Sequence, residues 1–275
     1  MATLGMVHVD DEGFTRGLTP FAACVFRKHE GFYFAERHLP RFLDTCAWAG
    51  LATQKIPSTL ELCEMVRRAI DEKEYTDSLV KIYATRGRRS LANSSEDPVV
   101  IVDVQPRPYP PIAVALEVIE WMRLYPDRKL TGAYAEPMRK IEETKTHGCD
   151  DLLYTDRANL ITESTTANIF FVTPEGELMT PGGNILSGVT RDTALALAKK
   201  SGIFRSVDEQ AAVNVKLLPR FSEAFVTSTT RGITPVHRIV AGDCYSLAVS
   251  PETFTAKLQA LYYEFQENYF RERGV

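Results

Sequence analysis

From Glu163 to Asp192 the chain reads ESTTANIFFVTPEGELMTPGGNILSGVTRD, and no other stretch narrows the possible folds as much. Two apolar runs, Asn168–Thr173 and Glu177–Thr180, flank Pro174-Glu175-Gly176. Such a pattern predicts a β-hairpin with a short turn. After a Pro-Gly-Gly loop comes Ser187-Gly188-Val189-Thr190, then Ala194, Leu197 and Ala198 at helical spacing, with Gly202 as the stop. A small-residue turn that opens a helix turns unpaired backbone N–H groups toward one point. The helix dipole adds to them, and together they favour an anion such as phosphate.

The flanking sequence alternates strands and helices. The apolar run Phe21–Phe26 reads as a strand, preceded by a turn at Asp10–Gly13 and followed by one at Lys28–Gly31. Glu36–Leu43 predicts a helix whose Leu39, Phe42, Leu43 and Cys46 make a buried stripe. Ser58, with Glu61 three residues on, forms a capping box for a helix from Leu60 to Glu72. Leu79–Thr85 and Pro98–Val104 read as strands around the basic loop Arg86-Gly87-Arg88-Arg89. Gln105–Pro111 carries four prolines, which block both helix and inner strand, and marks the domain boundary. Residues 1–107 are therefore expected to form a small N-terminal domain and 108–275 a larger one. In the second part, strands are expected at 112–121, Asp151–Thr155, Leu160–Thr162, Ala211–Val215, Ala224–Thr227 and Ile233–Val240. Helices are expected at Tyr134–His147 and, amphipathically, from Pro251 to Arg273.

Composition excludes several function classes. A net charge of −4 does not make the basic face that nucleic acid or an anionic membrane attracts. The five cysteines are scattered without Cys-x-x-Cys spacing, so they suggest neither a zinc site nor a disulfide framework. No secretory signal and no apolar run of membrane-spanning length is visible, which makes a cytoplasmic protein the expectation. No His-x-x-x-His or Gly-x-Ser-x-Gly occurs, so zinc and triad hydrolases find no support.

Glu163-x-x-x-x-Asn168-Ile-Phe, the hairpin, and Leu186-x-Gly-Val-Thr-Arg-Asp together resemble the signature of the class IV (fold-type IV) pyridoxal-phosphate aminotransferases. That family includes branched-chain and D-amino acid aminotransferases, amine transaminases and aminodeoxychorismate lyase. The resemblance implies a two-domain α/β fold, the larger domain built on a barrel-like sheet, with pyridoxal 5'-phosphate between the domains and a homodimer as the assembly. The chemistry requires a lysine that forms a Schiff base and later carries protons, and an acid facing the pyridine nitrogen. It also requires a phosphate anchor and groups flanking the ring. By position, Lys129 matches the lysine, ahead of its helical rivals Lys140 and Lys145. Glu163 matches the acid, and Tyr134 the tyrosine that bonds the phenolic oxygen. Leu186 matches the leucine on the ring face. Val189, Thr190, Thr229 and Arg41, the last in His38-Leu39-Pro40-Arg41, match the phosphate ligands. Arginine suits phosphate through its fork of donors.

Three places depart from the family pattern. Counting back from Gly31, an aromatic–Glu pair is replaced by Ala23-Cys24. The glutamate usual before Thr-Pro-Val is replaced by Arg231-Gly232. Thr85-Arg86-Gly87 follows the D-amino acid and amine transaminases rather than the branched-chain enzymes. These regions shape the substrate pocket in relatives, so Arg86, Arg88, Thr230 and Arg231 are the candidate substrate contacts, with Arg89 alongside. The expected reaction is amino-group transfer between an amino acid or amine and a 2-oxo acid. The alternative is a lyase of the 4-amino-4-deoxychorismate type using the same lysine and ring. A third reading, a non-catalytic cofactor-binding relative, is disfavoured by the intact Lys129–Glu163 pair.

Overall fold

The structure is a computed structural model that describes residues 7–73, 75–87 and 98–273. The chain divides into two units. One comprises Met1–Pro108, Arg128–Tyr134 and Asn268–Val275; the other comprises Tyr109–Asp127 and Ala135–Glu267. The short segment around Lys129 and the C-terminal end of the chain thus cluster with the N-terminal residues.

The first unit begins with helix α1 (Glu12–Arg16) and strands β1 (Phe21–Arg27) and β2 (Gly31–Phe32). Helices α2 (Ala35–Trp48) and α3 (Thr59–Lys73) follow, then β3 (Asp77–Thr85) and β4 (Val99–Pro106). The strands form an antiparallel sheet in the order β2-β1-β3-β4. Alternate residues of β1, namely Ala22, Cys24 and Phe26, pack with Leu39, Phe42 and Cys46 of α2 and Leu62, Val66 and Ile70 of α3. The Ser58 capping box forms as expected. Ser58 N donates to Glu61 Oε2 at 2.8 Å and Glu61 N to Ser58 Oγ at 3.4 Å. Two local readings change. Asp10–Gly13 is not a plain turn, because Asp11 accepts from Gly13 N at 2.6 Å and caps α1. In α2, Leu43 faces outward, and the buried stripe is completed by His38 and Thr45 instead.

The second unit holds β5 (Val114–Glu120), α4 (Ala135–Thr146), β6 (Asp151–Thr155), β7 (Ile161–Ser164), β8 (Asn168–Val172) and β9 (Glu177–Met179). It continues with α5 (Val189–Ser201), β10 (Ser206–Asp208), β11 (Glu223–Ser228), β12 (Gly232–Ala241), β13 (Asp243–Ser246) and most of α6 (Phe254–Arg273). Its sheet runs β10-β9-β8-β11-β12-β5-β6-β7, and a further pairing of β7 with β8 closes six of these strands into a barrel. Ile169 and Phe171 join one core with Leu116, Leu153, Val226 and Val236. Phe170 and Val172 join another with Ala194 and Ala198 of α5 and Leu258 of α6. Burial on both faces explains why Asn-Ile-Phe-Phe-Val is nearly continuously apolar. The strand expected at Ala211–Val215 is not one. Asn214 caps a 3-10 turn over Val215–Arg220 by accepting from Lys216 N at 3.1 Å, and the chain is diverted there.

Candidate active site

The segment around Lys129 is laid as an extra edge along residues 17–21. Phe21 N donates to Lys129 O, Thr131 N to Thr19 O and Gly132 N to Gly17 O, each at 3.0 Å. The two backbones approach so closely that a Cβ on Gly132 would meet Gly17 O at 2.8 Å, which accounts for the glycine in the Gly-x-Tyr sequence. Lys129 Nζ then lies 3.3 Å from Tyr134 Oη and 4.5 Å from the centre of the Phe21 ring. Phe21 is a neighbour that sequence reasoning missed. It lies on β1 two positions before Ala23, on the same strand face.

Arg41 and Lys129 both place charge on a buried His38, and their electrostatic reach brings them into one neighbourhood. Burial first, then these two cations and Arg37, hold the imidazole well below its usual pKa, so it is neutral. Cys24 feels the same two cations, but burial dominates and pushes its thiol up to about 12. Burial likewise takes Cys46 to about 12, whereas Cys244 is exposed. Neither Cys24 nor Cys46 is a nucleophile at neutral pH. Iodoacetamide at pH 8 is expected to label Cys244 first and to leave Cys24 and Cys46 unmodified in the native protein, as peptide mapping will read.

Glu163 is the second centre, fixed by three groups of its own unit. Arg123 Nε donates to Oε1 at 2.8 Å, with both side chains 3% exposed. Asn168 Nδ2 at 3.3 Å and Leu186 N at 3.1 Å donate to Oε2. Arg123 is anchored in turn, Nη2 donating to Thr165 O at 2.7 Å and to Ser164 O at 3.4 Å. The carboxylate is thereby paired and oriented although buried. Arg123 was not anticipated. Its one sequence clue was the requirement that a buried carboxylate find a cation.

Asn168 links this acid to the helix start. Its Nδ2 also donates to Leu186 O at 2.9 Å, and a Cβ on Gly188 would lie 2.1 Å from its Oδ1. Gly188 is the N-cap of α5 and brings no capping side chain, so the first amides of Val189 and Thr190 suit an anion. Arg191 steadies the approach by donating to Pro181 O at 3.0 Å and Glu209 O at 2.8 Å. In the sheet, Asn168 pairs with Thr227. The buried Thr227 Oγ1 makes no hydrogen bond among the described residues. Sheet register therefore sets three things at one rim of the barrel: Glu163, the start of α5, and the hydroxyl-rich turn after Thr227.

The candidate substrate residues are distributed differently. The turn is knit by Ser228 Oγ, 3.2 Å from Thr230 Oγ1 and accepting from Arg231 N at 3.2 Å. Thr229 is half-buried beside them. Arg231 Nη2 reaches the buried Asp151 at 3.3 Å and Thr166 at 3.1 Å. Arg86, by contrast, meets Glu12 at 3.0 Å in the first unit. Arg88 and Arg89 lie outside the described residues.

The amino-transferase class IV family model matches residues 24–239. The chain belongs to the class IV aminotransferases. It is an enzyme of the pyridoxal-phosphate-dependent kind that this class comprises. The uncapped start of α5, the unpartnered Thr227 hydroxyl and the fixed Glu163 carboxylate fit that cofactor's phosphate and ring nitrogen. Among sequence relatives, a "probable branched-chain-amino-acid aminotransferase" of Rickettsia felis is 26% identical over 230 residues. That match covers 79% of this chain and 77% of the relative. A D-alanine aminotransferase of Staphylococcus epidermidis is 25% identical over 247 residues, covering 85% and 83%. The fold matches a branched-chain aminotransferase from Thermoproteus uzoniensis with a TM-score of 0.83 at 23% identity, over 99% and 93% of the two chains. Among the described residues no helix is long and apolar enough to cross a membrane.

Proposed function

We propose that this aminotransferase moves an amino group between an amino acid, or a simple amine, and a 2-oxo acid. The observation that carries the reading is the Glu163 carboxylate, buried, paired with Arg123 and accepting from Asn168 Nδ2 and Leu186 N. A buried ion pair of this kind adds little to the stability of a fold, which points to a use at the site. When bound, pyridoxal phosphate supplies an electron sink for the substrate carbon and a carrier for the amino group. In this reading Lys129 holds it covalently and moves the proton at the substrate carbon, and Tyr134 donates to the phenolic oxygen. Glu163 keeps the pyridine nitrogen protonated, and Leu186 packs on the ring. Val189 N, Thr190, Thr229 and Arg41 hold the phosphate. Thr230 and Arg231 contact the substrate carboxyl side, and Arg86 and Arg88 are the further candidates. The assembly proposed is a cytoplasmic homodimer, which sedimentation of the purified protein will test.

A panel of L- and D-amino acids and amines with pyruvate or 2-oxoglutarate tests the reaction. Transamination requires one equivalent of amino product per donor consumed and ping-pong kinetics. Release of pyruvate from 4-amino-4-deoxychorismate with no acceptor present, and no amino transfer, points to the lyase instead. Arg41→Ala is expected to weaken retention of the cofactor about tenfold or more while leaving it attached to the lysine. Unchanged loss of pyridoxal phosphate on dilution removes Arg41 from the phosphate site.

A further inference from the structure

Helix α2, which carries His38 and Arg41, starts in an unusual way. Its N-cap is Phe34, a bulky residue in the left-handed region at φ 52° and ψ 44°, and it makes no side-chain cap hydrogen bond. That conformation is strained for any residue with a Cβ and persists only where surroundings enforce it. The enforcing groups come from the far end of the chain, from the last turn of α6, within the same structural unit. Phe34 N donates to Tyr269 Oη at 3.1 Å. Tyr269 Oη in turn donates to the Glu36 carboxylate, 2.9 Å from Oε2 and 3.1 Å from Oε1. The phenol therefore takes the place that the N3 glutamate has in a capping box, bonding the N–H of the N-cap residue. It accepts from a backbone N–H at the helix start and is itself held by a carboxylate in the first turn.

Packing fixes the phenol in place. Its ring lies 4.7 Å from Phe34 and 5.0 Å from Tyr33 between centres, and Arg27 sits 4.2 Å above the ring of the adjacent Phe270. The amides of Arg37 and His38 both bond back to Phe34 O at 3.0 Å. The position of Phe34 therefore sets the axis on which Arg41 stands, nearly two turns further on.

We propose that Tyr269 is a positioning residue for the phosphate-binding arm of α2, a latch by which the C-terminal end of the chain sets how tightly the cofactor is held. The inference rests on the phosphate role proposed above for Arg41. Tyr269→Phe keeps the ring and its packing and removes only the hydroxyl. The test measures loss of pyridoxal phosphate from the holoenzyme on dilution, by absorbance, together with hydrogen exchange of the Ala35–His38 amides in the whole protein. Tyr269→Phe is expected to speed exchange at those amides and to weaken cofactor retention about tenfold, equivalent to about 1.4 kcal/mol. In an Arg41→Ala background the same change should weaken retention no further, because its effect runs through Arg41. If Arg41→Ala weakens retention and Tyr269→Phe does not, the latch is overturned while the phosphate assignment stands. Equal effects of Tyr269→Phe in both backgrounds also overturn it. If Arg41→Ala itself leaves retention unchanged, the assignment of Arg41 falls and the latch falls with it.

Discussion

Lys129→Ala is expected to abolish turnover, with a fall of about 10⁴-fold or more, the upper range for loss of a positioned proton carrier. Covalent attachment of the cofactor is lost in the same step, so the absorbance band of the lysine-bound form should vanish. The fold should survive. What anchors this segment is the backbone of Lys129, whose carbonyl accepts from Phe21 N, flanked by the Thr131 and Gly132 amides. What is removed is the side chain beyond Cβ, whose Nζ is set against Tyr134 Oη and the Phe21 ring. A purified Lys129→Ala protein with unchanged melting temperature and wild-type turnover contradicts the assignment.

Glu163→Gln is the second large effect. Removing one preorganised electrostatic group costs about 2.7–4 kcal/mol of transition-state stabilisation, roughly a hundred- to a thousand-fold in rate. The swap conserves volume, yet it will not be structurally silent. The site offers donors to both carboxylate oxygens, Arg123 Nε on one side and Asn168 Nδ2 with Leu186 N on the other. A glutamine has one oxygen and one NH₂, so a donor must face a donor whichever way it turns. The charge of Arg123, 3% exposed, also loses its counterion. Breaking a buried pair in this way costs about 3–5 kcal/mol, and the oxygen that glutamine retains places the loss toward the lower figure. Calorimetry beside single-turnover kinetics separates the two losses. A variant that loses stability but keeps its half-reaction rate means that Glu163 serves only the fold.

The parts of this protein that could be read in advance are those where a local rule decides. The hairpin of β8 and β9, the α5 start and its Gly202 stop, and the Ser58 capping box are set by residues a few positions apart. The parts that could not be read are set by distant partners. Leu43 was assigned to a buried stripe, but which helical face is covered depends on the sheet beneath it, and that sheet takes His38 and Thr45 instead. Ala211–Val215 has the alternation of a strand, yet the Asn214 side chain captures Lys216 N and bends the chain into a 3-10 turn. Within the site, Glu163 stood out from its motif, whereas Arg123 lies 40 residues earlier and is joined to it only by the β5–β6–β7 pairing. The Asn168 side chain illustrates the same limit. Its place in the motif was legible, but its bridging of Glu163 to Leu186 depends on the loop folding back over β8.

The central claim is that Lys129 carries the cofactor. Borohydride reduction of the purified holoenzyme followed by peptide mapping tests it directly, because reduction freezes whichever lysine bears pyridoxal. One modified peptide is expected, with the pyridoxyl group on Lys129. A pyridoxyl group on Lys140 or Lys145, or no modified lysine at all, contradicts it.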